Sequence, residues 1–263
     1  MNDANNVQTP TLAVATAIQI TILPLPSRAL EIFVLTITTT TLQTMTTSAI
    51  RLFLLTPECK LNCYLTNARS IVNKLRELHY LMYVAKFDII AITETWLHDN
   101  VANGLLDPES LFNIVRKDRK ADVKGGGVCA LVKKCWSVIP IDFDDEFADL
   151  EIVGFDLIAA KTRIRYFVVY RPPKVDSLSA IHLGRIINCL ARYESSHTNV
   201  IVGDLNLPKI NWSDLSCPSD NLHRPFLTFL VESSYSQLVG FPTHATDTLD
   251  VVLTSDRQYF QQY

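Results

Sequence analysis

Asn199-Val200-Ile201-Val202-Gly203-Asp204-Leu205-Asn206 is the stretch on which the fold turns. Three β-branched aliphatic residues in a row read as a buried strand, and Gly203-Asp204 marks its end. Asp204 and Asn206 therefore sit where a strand gives way to a loop. Read outward, the same arrangement recurs. Upstream, Leu178 to Tyr193 has helical apolar spacing, with Ile181, Ile186, Ile187 and Leu190 as its core face. Before it, Glu151 to Ala159 and Arg163 to Tyr170 read as strands joined by a turn at Ala160-Lys161-Thr162, and Val128 to Val132 as a strand opened by Gly125-Gly126-Gly127. Earlier still, Phe87 to Ile92 is a buried strand ending at Thr93-Glu94. Ser70 caps a helix through Ile71, Leu75, Leu78, Leu81 and Met82, and Leu61 to Leu65 is a short strand. Downstream, Pro225 to Leu238 reads as a helix with proline in its first turn, and Leu249 to Leu253 as a last strand. Helices interspersed with strands and hairpins predict a layered α/β sandwich with mixed β-sheets.

Composition bounds the rest. Of 263 residues 48% are apolar, enough for a sizeable core, and 24 basic against 27 acidic side chains give a net charge of -3. That balance carries no basic footprint for nucleic acid, but an enzyme that clamps phosphate locally needs only a few placed cations and a metal. Residues 1 to 57 stand apart: rich in Thr, poor in charge, with Thr38-Thr39-Thr40-Thr41 of low complexity. They are expected to form a weakly ordered leader, or else an apolar extension that packs elsewhere, ahead of a domain over 58–263. The six cysteines match no zinc spacing and read as small buried hydrophobes of a reducing compartment. No basic n-region precedes an apolar run and no run spans a bilayer, so an intracellular, nuclear or cytoplasmic protein without membrane attachment is expected.

Polar residues recur where apolar strands end: Asn67, Glu94, Tyr170, Asp204 and Asn206, with Asp250 inside the last strand. Strand ends of layered α/β folds gather into one crevice. Convergent carboxylates and amides suit a hard cation such as Mg²⁺ or Mn²⁺, which binds a phosphoryl oxygen and activates water. Each position also has a plain reading: turn or capping residue for Asn67, Asp204 and Asn206, cap or surface pair for Glu94. Asp250, flanked by Leu249 and Val251, must be paired or lie on an edge.

Six motifs, in order, carry a resemblance. Asn67-Ala68-Arg69-Ser70, Ile92-Thr93-Glu94-Thr95-Trp96-Leu97, Gly125-Gly126-Gly127-Val128, Val169-Tyr170-Arg171-Pro172-Pro173, Gly203-Asp204-Leu205-Asn206 and Leu249-Asp250-Val251-Val252-Leu253 together resemble the endonuclease/exonuclease/phosphatase superfamily, with its DNase I-like fold. Their wording is most similar to endonuclease domains of non-LTR (LINE-type) retrotransposons. The resemblance runs from Lys60 to Thr254. It implies that Glu94 binds metal with Asn67 beside it, that Tyr170 hydrogen-bonds the phosphate, and that Asp204 orients or deprotonates water. It further implies that Asn206 steadies the transition state and that Asp250 pairs with a catalytic His. Arg119, Lys124 and Arg171 are weaker candidates for substrate contact. The basic run from Arg116 through Lys124 is by default a solvated loop, and the three glycines are strand glycines that allow close backbone approach.

The family's closing Ser-Asp-His motif has no counterpart: Ser255-Asp256-Arg257 is too near Asp250 and carries Arg in place of His. The final strand is expected to be missing, which leaves enzyme status open. The resemblance implies a Mg²⁺-dependent DNA endonuclease that nicks duplex DNA, linked to a reverse transcriptase outside this chain. A catalytically inactive remnant, and a phosphatase or exonuclease on another phosphoester, are the alternatives.

Overall fold

The structure, a computed structural model, describes residues 31–37, 49–55, 60–119, 125–159, 162–173 and 177–255. Two six-stranded mixed sheets pack face to face. One contains β1 (Glu31–Ile37), β2 (Ala49–Leu55), β3 (Lys60–Asn67), β4 (Ile89–Thr93), β5 (Phe112–Lys117) and β6 (Val128–Lys133), in the order β1-β2-β3-β4-β6-β5. The other contains β7 (Ser137–Pro140), β8 (Ile152–Ala159), β9 (Thr162–Tyr170), β10 (Thr198–Asp204), β11 (Ser236–Gln237) and β12 (Asp250–Thr254), in the order β11-β12-β10-β9-β8-β7. At the centre of each sheet lies a parallel pair, β3 with β4 and β9 with β10. The helical segments are α1 (Leu75–His79) between a 3₁₀ turn at Val72–Lys74 and a π turn at Tyr80–Val84, the short α2 (Asn103–Leu106), α3 (Ser177–Tyr193) and α4 (His223–Glu232).

Three apolar clusters make this a four-layer sandwich. Leu61, Cys63, Ile89, Ala91, Val128 and Ala130 meet Phe155, Tyr166, Val168, Val200 and Val202 between the sheets. Alternate residues of the same strands face outward. Tyr64, Ile90, Ile92 and Leu131 pack on Leu78, Leu81 and Met82 of the α1 region. Phe167, Val169, Ile201, Val251 and Leu253 pack on Leu183, Ile186 and Leu190 of α3 and on Phe226 and Leu230 of α4. Burial on both faces is why the central strands read as unbroken apolar runs rather than alternating ones.

The expected α/β sandwich is the observed fold, with local corrections. β1 and β2 fall within the stretch 1–57 expected as a leader. They pair antiparallel with each other and through β2 with β3, as their β-branched content favours. Thr38-Thr39-Thr40-Thr41 lies outside the described residues. Ser70 is no helix cap: its φ is +85°, and its hydroxyl accepts a bond from Asn73. The helix expected over 225–238 stops at Glu232, where Ser234 turns to a φ of +60° and the chain returns as β11. Ile181 is exposed, since α3 turns Leu183, Ile186, Cys189 and Leu190 inward. The first part of the basic run is the edge strand β5, not a loop, and edge strands tolerate charge because one side meets solvent. All five described cysteines are free, three of them buried.

One contact fixes the central parallel pair of the second sheet. Gly203 lies opposite Val169 with a φ of +147°, and a Cβ there would stand 1.8 Å from the Val169 carbonyl oxygen. The obstacle is backbone and cannot rotate away. Gly203→Ala is expected to lower stability by about 2–4 kcal/mol in urea unfolding; an unchanged midpoint would refute this strand packing.

Candidate active site

The two parallel pairs end at the same edge of the sandwich, and the register brings their last residues together. Asn67 pairs with Thr93, one residue before Glu94, while Asp204 lies opposite both Tyr170 and Asp250. The Asn67 amide donates from Nδ2 to Glu94 Oε1 and to Asp204 Oδ2, each at 2.9 Å, and so ties one sheet to the other. The Tyr170 hydroxyl donates to Glu94 Oε1 at 3.2 Å, and the Trp96 indole reaches Oε2 at 3.4 Å. Asn206 donates its backbone N–H to Asp204 Oδ1 and its side-chain amide to the Arg171 carbonyl. Asp250 enters on β12, its N–H held by the Thr243 hydroxyl at 3.0 Å. Asn67, Glu94, Asp204, Asn206 and Asp250 line a single cavity of about 730 Å³.

Backbone strain marks the corners of this cluster. Glu94, Trp96 and Asn206 have φ of +48°, +55° and +50°, all left-handed and none of them glycine. Such residues persist only where their surroundings dictate the conformation. Those surroundings explain two of the weaker substrate candidates. Arg171 is 1% exposed, and its guanidinium donates to the Leu205 and Asn206 carbonyls and to Ser179. It holds the loop after β10, and it also lines the cavity. Arg119 is tied to Glu151 through two nitrogens and lies 5.9 Å over the Tyr170 ring. Lys124 lies outside the described residues.

Glu151 was not singled out by the sequence reading, although a carboxylate between Leu150 and Ile152 carries the signal noted for Asp250. It is buried and accepts from Arg119 and from the Gly127 N–H, joining the β5–β6 connection to the second sheet. Gly125, Gly126 and Gly127 all have positive φ and form the turn into β6 rather than part of the strand. A Cβ on Gly126 would stand 2.2 Å from the Arg119 guanidinium, so the glycine makes room for the cation over Tyr170. Thr243 was also missed, since a lone Thr in Pro242-Thr243-His244 carries no distinguishing pattern. His244 lines the cavity.

The electrostatics follow from burial. The Asp204 carboxyl is pushed well above the ordinary carboxylate range, first by burial and then by the charge of Asp250. Tyr170 is pushed up by burial and by Glu94 and Asp204, so its hydroxyl stays protonated and acts as a donor. For a metal, the cluster at the strand ends offers oxygens: the carboxylates of Glu94, Asp204 and Asp250 and the amides of Asn67 and Asn206. Among the described residues no group of three or more His, Cys, Asp or Glu converges closely enough to hold an ion alone. That set fits a hard divalent ion that keeps several waters, and the repulsion raising Asp204 is what such an ion relieves.

A mixed two-sheet sandwich with a crevice of carboxylates and amides at its strand ends is the arrangement of a class of phosphoester-processing folds. The chain belongs to the endonuclease/exonuclease/phosphatase family, whose family model matches residues 61–260. Solved structures share the fold. An AP endonuclease from Archaeoglobus fulgidus has TM-score 0.52 at 14% identity, covering 74% of this chain and 86% of that one. The endonuclease domain of TRAS1, a telomere-specific non-LTR retrotransposon, has 0.52 at 16%, covering 73% and 83%. The 3′ phosphatase NExo from Neisseria, bound to product DNA hairpin, has 0.52 at 14%, covering 73% and 85%. No curated protein matches the chain. Among the described residues no helix is long and apolar enough to cross a membrane.

Two outcomes test this site. A folded-state value for Asp204 above the unfolded one means that ionising it opposes folding. Without divalent cation, its contribution to stability is therefore greatest near pH ~4 and is lost as pH rises toward the raised value. Asp204→Asn is expected to stabilise the metal-free chain at pH 8 and to flatten that dependence in thermal melts; a destabilised variant contradicts the assignment. Glu151→Gln leaves the Arg119 charge without its counter-ion and is expected to cost about 1–3 kcal/mol in urea unfolding.

Proposed function

We propose that the chain is a metal-dependent phosphodiesterase acting on DNA, nicking one strand of a duplex by attack of water on a backbone phosphate. The observation that carries this reading is the Asn67 amide set between Glu94 and Asp204, with the Tyr170 hydroxyl on Glu94. This is a donor–acceptor cluster drawn from the ends of both parallel pairs. The order and wording of the motifs, and the shared fold of the TRAS1 endonuclease domain, support a retrotransposon-type endonuclease acting with a reverse transcriptase.

Glu94 and Asn67 would hold Mg²⁺ or Mn²⁺, which supplies charge to offset the anionic phosphate and lowers the pKa of a bound water. The other roles belong to the chain's own atoms. Asp204, ionised, accepts the proton of the attacking water at Oδ2, opposite the oxygen that Asn206 N–H holds in place, while the P–O bond to the leaving strand end breaks and its oxygen takes a proton from solvent. Tyr170 O–H and the Asn67 amide donate to phosphoryl oxygens as charge develops there. Asp250 keeps the local field negative, favouring a cation at Glu94. Arg119 rests on the outer face of Tyr170 and fixes its ring.

The test is conversion of supercoiled plasmid to open circle in Mg²⁺ by the full chain. Glu94→Gln and Asp204→Asn are each expected to lower the rate ~10²–10⁴-fold, and chelation to abolish it. A rate untouched by both substitutions sinks the site. Faster turnover of soluble phosphomonoesters than of duplex would redirect the reading to a phosphatase, and an inert but folded, metal-binding chain to a non-catalytic remnant.

A further inference from the structure

Resting on the phosphodiesterase reading, we propose that Asp220 and His223 form a separate subsite for a phosphate of the bound strand next to the one being cleaved. The placement comes from topology. Asp250, at the start of β12, faces Asp204, while β11 pairs with Thr254 at the other end of β12. The chain passes through α4 between these ends, and His223, its first residue, shares the cavity of the catalytic cluster.

His223 is 3% exposed, and its Nδ1 lies 2.8 Å from Asp220 Oδ2. The other carboxylate oxygen accepts the N–H groups of Leu222 at 3.1 Å and of His223 at 2.7 Å, so Asp220 cannot swing away. The second ring nitrogen, Nε2, is buried and has no hydrogen-bond partner among the described residues. Buried polar atoms without partners are exceptions in folded proteins and mark places completed by something else. A carboxylate on Nδ1 fixes the ring, and when both ring nitrogens carry protons Nε2–H is a charge-assisted donor suited to a phosphate oxygen. Arg69 and Lys209 in the same cavity add positive charge, against Asp247 and the carboxylates of the catalytic cluster. Nucleic acid supplies phosphates at regular spacing, so a strand with one phosphate on the cluster offers a neighbour to this pair.

The test uses ¹⁵N-histidine NMR on the full chain, titrated with inorganic phosphate and, separately, with a short duplex. The duplex is used with or without one neutral methylphosphonate beside the scissile position. Both charged probes are expected to move the His223 Nε2 signal, with a weaker response in Asp220→Asn, which keeps the ring. His223→Gln is expected to raise KM for plasmid nicking ~10-fold while changing kcat less than ~2-fold. The methylphosphonate should weaken binding to wild type and not to this variant. An unmoved Nε2 signal, or a wild-type KM in His223→Gln, overturns the proposal, and a response to free phosphate but not to duplex overturns its assignment to the strand. Should His223→Gln fail to fold, the wild-type and Asp220→Asn spectra decide. Glu94→Gln separates the two readings: it removes cleavage and leaves the His223 response. A wild type that cleaves nothing sinks the nuclease reading, while the phosphate titration still decides the subsite.

Discussion

A strand buried on both faces accommodates polar side chains most readily at its ends, and that constraint organises this protein. Sheets with apolar residues on two sides must stack, and helices must cover the outer faces. Once they do, every polar group needed for chemistry is driven to the rim. The parallel pairs β3/β4 and β9/β10 run out at one rim, and the antiparallel β12 brings Asp250 there from the other direction. The site follows from the way the core is built.

What holds the rim in place is a set of buried contacts behind it. Arg171 reads the shape of the loop after β10 by bonding two of its carbonyls. Thr243 fixes Leu249 and Asp250 through their N–H groups. Glu151 fastens Arg119 and the turn before β6. Gly203 lets β9 and β10 approach more closely than any side chain would allow. These contacts keep Glu94, Trp96 and Asn206 in left-handed conformations that their own preferences oppose. A shift of one strand end would be felt by all the others.

The central architecture was legible because burial writes itself as unbroken apolar runs, as in Phe87 to Ile92 and Asn199 to Val202. The edges were not. β5 carries Asn113, Arg116 and Lys117, and β7 ends on Pro140, so neither shows the pattern of a buried strand. The end of α4 was hidden because apolar spacing continues through Tyr235 and Leu238, which serve the return strand instead. At the site, residues at strand ends could be named from position alone, and the structure places Asn67, Glu94, Tyr170, Asp204, Asn206 and Asp250 at one rim. The partners of Arg171 were not legible, because a cation in Tyr-Arg-Pro-Pro gives no sign that carbonyls 34 and 35 residues away will claim it. The burial of His223 carries no sequence signal, since it depends on Asp220 folding back over the start of α4.

Asp204 concentrates the conflict between folding and chemistry. A carboxylate that takes a proton from water must be ionised first, yet burial and Asp250 both oppose ionisation. The Asn67 amide and the Asn206 N–H favour the charged form, but they do not outweigh the other two. In the proposed mechanism a divalent ion beside Glu94 would supply what is lacking, because its field lowers the cost of charge on every carboxylate around it. The same carboxylates that make the metal-free rim unfavourable would, on that proposal, attract a cation. Replacing any of them with an apolar residue would relieve the repulsion and remove the reason for an ion to bind, the usual form of the trade between stability and activity.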